Sequence, residues 1–195
     1  QETYFLDQTD VVTGTAARVV VNRGQPAAVI YAIDYYDPSS PTLGFQRAID
    51  ALPAEGGTVI LPAGVFQLRQ GLVLRSNVTL RGSDAGTTLQ RVSQLYAYVS
   101  KKALPGNQRV TVNTTAGFRV GDEIFLVSRL TTSSSKEKTF VIVGIAGNSL
   151  ILDRPIVESG FSPNNAAQVT NIFSLIRIEG TPSELATNAR VENIR

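Results

Sequence analysis

The stretch Phe45-Gln-Arg-Ala-Ile-Asp-Ala-Leu-Pro-Ala-Glu-Gly-Gly-Thr-Val-Ile-Leu-Pro-Ala-Gly64 constrains this chain more than any other. Phe45, Ala48, Ile49 and Leu52 fall at i, i+3, i+4 and i+7, the spacing of one apolar helix face. Ser40-Pro41 supplies the start, because Ser accepts from free amides and Pro is tolerated at the first helical position. Pro53 and Gly56-Gly57 end the helix. Val59-Ile-Leu61 then reads as a buried strand and Pro62-Ala-Gly64 as a tight corner. Ser76-Asn-Val-Thr-Leu-Arg-Gly82 repeats the strand, with Asn77 suited to a left-handed corner.

The same rhythm includes Gly71-Leu-Val-Leu74 and Thr88-Leu89, set apart by Arg75-Ser-Asn77 and Gly82-Ser-Asp-Ala-Gly86. Short strands between polar corners predict a chain that winds, with roughly 20–25 residues per coil and about 4.8 Å between coils. A helix leading into such strands predicts the start of a right-handed, single-stranded parallel β-helix. The helix covers the open end, which would otherwise expose apolar side chains and unpaired strand edges.

Residues 93–174 break the rhythm. Arg109-Val-Thr-Val112, Glu123-Ile-Phe-Leu-Val127, Thr139-Phe-Val-Ile-Val143 and Ser149-Leu-Ile-Leu152 read as longer strands. Gly117–Asp122, Ala146-Gly-Asn148 and Asp153-Arg-Pro155 supply turns, and Leu130–Lys138 reads as a polar loop tip. This predicts a small antiparallel barrel or sandwich inserted between two coils. The short-strand rhythm returns at Leu175–Gly180 and Ala189–Arg195. Near the start, Ala17–Asn22 and Ala27–Ile33 flank Arg23-Gly-Gln-Pro26 and read as a hairpin or two neighbouring strands. The expected organisation is all-β. An N-terminal β segment spans 1–40, the capping helix and first coils 41–92, the inserted module 93–174, and further coils 175–195.

Composition removes several functions. The 195 residues are 43% hydrophobic and 17% charged, with 18 Lys+Arg against 16 Asp+Glu. So even a balance gives no argument for nucleic acid or an anionic membrane. No window approaches the roughly 18 apolar residues that span a bilayer. The chain has no Cys, His, Met or Trp. Disulfides, thiolate metal sites and a Ser-His-Asp triad are therefore excluded within it. Chemistry would have to use carboxylates, Arg, Lys, Tyr or a hard cation. A start at Gln1 with no Met reads as a processed form or a fragment.

Phe45–Leu52, Gly56–Gly64 and Ser76–Gly82 together resemble the pectate-lyase superfamily of right-handed β-helix proteins. Many members lead into the helix through a Gly-Asp-Gly…Asp-Asp-Thr stretch; this chain has Ile33-Asp-Tyr-Tyr-Asp-Pro-Ser-Ser40 instead. The insert, with Ala116–Asp122 and Asn148–Pro155, is similar to one in some secreted bacterial β-helix repeat proteins. The resemblance implies carbohydrate chemistry. It also implies that catalytic acids, bases and calcium ligands sit on middle coils beyond Arg195, so it assigns no catalytic residue here.

Arg69, Arg75 and Arg81 are spaced by six. On stacked strands they would form a basic ladder gripping the carboxylates of an acidic polysaccharide. The simpler reading is three solvated strand residues. Tyr96 and Tyr98 share one strand face and offer rings for sugar stacking, as do Tyr35-Tyr36; core or interface packing is the simpler alternative. Asp34, Asp37 and Asp50 are oxygen donors for a hard cation, though loop and helix-surface roles suffice. Asp122 and Glu123 point to opposite strand faces, which leaves Asp122 a turn role. Asn77 and Asn113 match the glycosylation sequon, a short motif that recurs by chance. Gly82–Gly86 lacks the Gly-Lys-Ser/Thr ending of a phosphate loop.

The expected function is that of a secreted or cell-surface, carbohydrate-active β-helix protein that binds and cleaves a polysaccharide as a lyase or glycoside hydrolase. Calcium belongs to the full-length protein and no cofactor to this segment. The alternative is a non-catalytic structural or adhesive subunit of a fibre, surface layer or phage spike. Homo-oligomers would then form through the N-terminal strands or the coil edge.

Overall fold

In the structure, a computed structural model, the apolar face read from the sequence lies on a helix, α1, over Pro41–Asp50. Residues 2–3, 19–21, 28–35, 41–129, 135–181 and 183–195 are described. The chain divides into two compact units, Gln1–Arg91 with Ser174–Arg195, and Val92–Phe173. The described fold is all-β, with α1 its one α-helix among the described residues.

In the first unit the strands are β1 (Glu2–Thr3), β2 (Val19–Val21), β3 (Ala28–Tyr31), β4 (Gly57–Leu61), β5 (Gly64–Leu68), β6 (Leu72–Leu74), β7 (Val78–Gly82), β8 (Thr87–Arg91), β15 (Ile176–Ile178) and β16 (Arg190–Glu192). Strands next to each other in sequence from β4 onward do not pair. Instead β4 pairs with β7, β5 with β8 and β6 with β15, all parallel. β16 then pairs in parallel with β7. A parallel partner needs a long crossover, and here the intervening strands are the crossover. The sheets are not purely parallel. β1–β2 and β2–β3 are antiparallel, and only from β3–β4 onward is the six-stranded sheet parallel.

In-register pairing stacks like side chains. Ile30, Val59, Leu80 and Val191 are successive partners. The first three are at most 1% exposed and Val191, at the sheet edge, is 43% exposed. Leu72 and Leu74 lie over Ile176 and Ile178, and Phe66 over Leu89. At the corner before β7, Asn77 adopts φ 60°, and Asn188 adopts φ 56°. The Asn188 amide Nδ2 donates to Asn77 Oδ1 at 3.3 Å. Gly56, at φ 95°, brings the chain against this corner, where a Cβ would run into the Asn77 carbonyl.

Helix α1 closes one side of this unit. Phe45, Ala48, Ile49 and Leu52 are buried, and the Phe45 ring meets Phe66 edge-on at 5.0 Å. Its polar residues act as surrogate backbone. Gln46 Oε1 accepts from the Val73 amide at 2.9 Å, and Gln46 Nε2 donates to the Val73 carbonyl at 3.2 Å. Thr42 Oγ1 accepts from the Arg69 amide at 3.0 Å. The helix thus satisfies polar groups that strand pairing leaves over.

The second unit contains β9 (Tyr96–Tyr98), β10 (Arg109–Thr111), β11 (Glu123–Arg129), β12 (Ser135–Ala146), β13 (Ser149–Leu152) and β14 (Gln168–Thr170). They form a six-stranded antiparallel sheet in the order β10-β13-β12-β11-β14-β9. The sheet closes on itself just beyond β9 and β10. Val99 bridges Val112, and the Ser100 amide donates to the Thr111 carbonyl at 2.9 Å. Ile124, Leu126, Ile142, Leu150, Val110 and Val169 fill the interior.

Two details differ from the sequence reading. β12 already begins at Ser135, inside the stretch Leu130–Lys138 read as a loop tip. Ala32–Tyr35 forms a 3-10 turn, which takes the last two residues of the expected strand Ala27–Ile33. The expected turn at Arg23–Pro26, the Ser40 cap, Tyr36 and Asp37 lie outside the described residues.

Leu80 is central to the stacked column. Leu80→Ala should cost about 2–5 kcal/mol in chemical denaturation, through lost burial and a residual cavity. Val65→Ala, at a side chain 64% exposed, should stay within about 0.5 kcal/mol. Equal losses at the two sites would contradict the stacking.

Candidate functional site

The three arginines do not form a ladder. Residues stack on the strand one winding away, so Ile60, Arg81 and Glu192 share a row, while Thr79 faces Arg190. A spacing of six instead puts Arg69 after β5, Arg75 after β6 and Arg81 in β7, on strands of three different sheets. Arg69 is half-buried. Arg75 turns to the end of α1, where its Nη2 donates to the Leu52 carbonyl at 2.6 Å and the Pro53 carbonyl at 2.9 Å. This gives the Leu52 carbonyl a partner just past the helix end, and adds a second to the Pro53 carbonyl, which already accepts from the Gly56 amide at 2.9 Å. The other terminal nitrogen, Nη1, is buried and makes no hydrogen bond. Arg81 forms an exposed ion pair with Glu192, with Nη2 at 2.6 Å and Nε at 2.8 Å from Oε2.

Tyr96 and Tyr98 do come together. They flank Ala97, which is 1% exposed and belongs to the core of the second unit. Strand alternation then turns both rings outward, and they are 62% and 51% exposed. Their centroids are 6.1 Å apart with the planes at 82°. The Tyr98 backbone is held on one side by Asn113. The Asn113 side-chain Oδ1 accepts from the Tyr98 amide at 2.8 Å, and the Asn113 amide donates to the Tyr98 carbonyl at 2.9 Å. On the other side β14 places Thr170 opposite Tyr96 and Gln168 opposite Tyr98.

The remaining polar candidates are used locally. Asp50 accepts from Gln46 Nε2 at 2.9 Å. Asp122 is fully buried and its Oδ2 accepts from the Arg119 amide at 2.9 Å, the turn role read from the sequence. Asn77 and Asn113 are engaged in the corner and strand contacts above. Among the described residues no group of three or more His, Cys, Asp or Glu is placed to hold a metal ion.

Sequence reasoning missed a polar hollow of about 330 Å³ in the first unit, lined by Ser83, Asp84, Gly86, Thr87, Asn193, Ile194 and Arg195. Asp84 Oδ1 accepts from Asn193 Nδ2 at 3.1 Å. The Thr87 hydroxyl accepts from the Ser83 amide and donates to the Pro62 carbonyl. Its two sides are far apart in sequence, so no local motif announces it.

No known protein-family profile and no curated protein matches the chain. Among solved structures it is similar to three tailspike proteins. The tailspike gp54 of Acinetobacter baumannii phage AP22, solved with A. baumannii capsular saccharide, is 8% identical over 71% of this chain, with a TM-score of 0.39. The tailspike gp61 of Pseudomonas phage phi297 is 11% identical over 77%, with a TM-score of 0.40. The tailspike gp49 of Pseudomonas phage LKA1 is 17% identical over 72%, with a TM-score of 0.34. The matches cover 26%, 28% and 27% of those chains, so this chain spans about a quarter of their length.

The arginine geometry separates two roles by stability. Arg75→Ala removes two carbonyl partners at a half-buried site and should cost about 1–3 kcal/mol. Arg81→Ala breaks an exposed pair and should cost at most about 1 kcal/mol. Denaturation midpoints check this; a larger loss at Arg81 would contradict it.

Proposed function

We propose that this chain is the leading part of a right-handed parallel β-helix that binds a polysaccharide from a secreted or cell-surface position. Its role is that of an adhesive or structural subunit of a fibre, surface layer or phage spike. The observation that carries the scaffold is the threefold set of parallel pairs, β4–β7–β16, β5–β8 and β6–β15. A chain that meets itself in register at three successive sides is a wound coil. The sequence resemblance in Phe45–Gly82 points the same way.

Binding rather than cleavage is favoured by where the polar groups are. A lyase needs a base beside a cation that stabilises developing charge, and a hydrolase needs paired carboxylates. Asp50, Asp84 and Asp122 each serve a local hydrogen bond instead. The groups turned outward as a pair are Tyr96 and Tyr98. Calcium remains an expectation for the full-length protein that the resemblance alone supports.

The purified 195-residue chain should be retained on immobilised polysaccharide. It should also release no new ends from pectin or alginate, with or without calcium. Failure to retain on any polymer would remove the binding role. Measurable turnover would replace it with catalysis.

A further inference from the structure

We infer that Tyr96 and Tyr98 form a subsite for an uncharged stretch of polysaccharide, a deepening that rests on the binding role just proposed. Ala97 is held in the core, so neither tyrosine can turn inward without reversing β9. Asn113 engages both the amide and the carbonyl of Tyr98, and on the β14 side the strand is held through the neighbouring Val99, whose amide donates to the Ala167 carbonyl at 2.8 Å. The rings therefore stand on a rigid base, which lowers the ordering cost of binding.

Ring geometry suits a sugar. With the planes at 82° and the centroids at 6.1 Å, one ring offers its face beside the other ring's edge. The apolar C–H face of a pyranose can cover a ring face, while its hydroxyls meet the phenol O–H groups, each both donor and acceptor.

The neighbours set the charge class. Gln168 and Thr170 lie directly across from the tyrosines, and Val127 and Phe125 continue the same two rows on β11. These positions carry an amide, a hydroxyl and two apolar groups. The Thr170 hydroxyl already donates to the Leu95 carbonyl at 2.9 Å, which leaves the Gln168 amide as the adaptable polar contact. A carboxylate placed over these rows would lose water and meet no cation from them. Sugar hydroxyls would meet groups of their own kind.

The chain has six Tyr and no Trp, so tyrosine fluorescence reports on the site. The purified chain is titrated with neutral polymers (dextran, galactomannan) and uronate polymers (alginate, polygalacturonate) at low and high salt. The expected result is binding of a neutral polymer that salt leaves unchanged. Tyr98→Ala should weaken it about tenfold, a loss typical of an aromatic contact. Tyr98→Phe should stay within about threefold, the value of one net hydrogen bond. Matched melting curves establish that the variants are folded. Binding of uronates alone, abolished by salt, would overturn the uncharged subsite and leave the polysaccharide role standing. Neutral binding unaffected by Tyr96→Ala and Tyr98→Ala would overturn the site. A concentration-dependent dimer lost in Tyr98→Ala would make the face a self-contact and overturn it too. No binding to any polymer would overturn both readings.

Discussion

From β4 onward, the strands of the first unit pair with a strand one winding further along rather than with the next in sequence. β4 cannot use β5, nor β5 use β6; each waits for β7, β8 or β15. That one requirement sets much else. It lines up Ile30, Val59, Leu80 and Val191 as one apolar column. It puts Asn188 over Asn77 and Glu192 beside Arg81. It also leaves a need on the other side of β5 and β6, which have no second strand partner among the described residues. Gln46 and Thr42 of α1 meet it by bonding Val73 and Arg69 as a strand would.

The same requirement constrains the second unit. An insertion between windings must begin and finish at nearly one place, or the next winding loses register. Within Val92–Phe173 the two ends are tied together. Asn171, 2% exposed, accepts from the Leu95 amide at 2.6 Å and donates to the Ser93 carbonyl at 2.9 Å. Thr170 adds its bond to the Leu95 carbonyl. The closed barrel between these ends then folds around its own core and is free to carry exposed tyrosines.

What could be read from the sequence was local. The face of α1 follows from a 3.6-residue period, and the left-handed corner at Asn77 from the chemistry of one side chain. Strand alternation puts Tyr96 and Tyr98 on one face; that this face is the outer one shows only from the buried Ala97 between them. What could not be read depended on register between distant segments. Arg81 finds Glu192 at a separation of 111 residues, and Gln46 finds Val73 at 27. A spacing of six cannot stack Arg69, Arg75 and Arg81, because partners on stacked strands such as Val59 and Leu80 are 21 residues apart. Once the windings are placed, six residues is a step from one sheet to the next.

The stacked winding requires the register that β16 keeps with β7 across the insertion. The chain has no cysteine, so introduced pairs can report it without competition. Thr79 faces Arg190, whereas Arg81 faces Glu192. Directly opposed strand residues lie within disulfide reach, and a shift of two residues moves them beyond it. Oxidation of Thr79→Cys/Arg190→Cys should close a disulfide in nearly all molecules, read by mass spectrometry, while Arg81→Cys/Arg190→Cys should stay reduced. Closure of the second pair in preference to the first would contradict the stacked winding on which the rest depends.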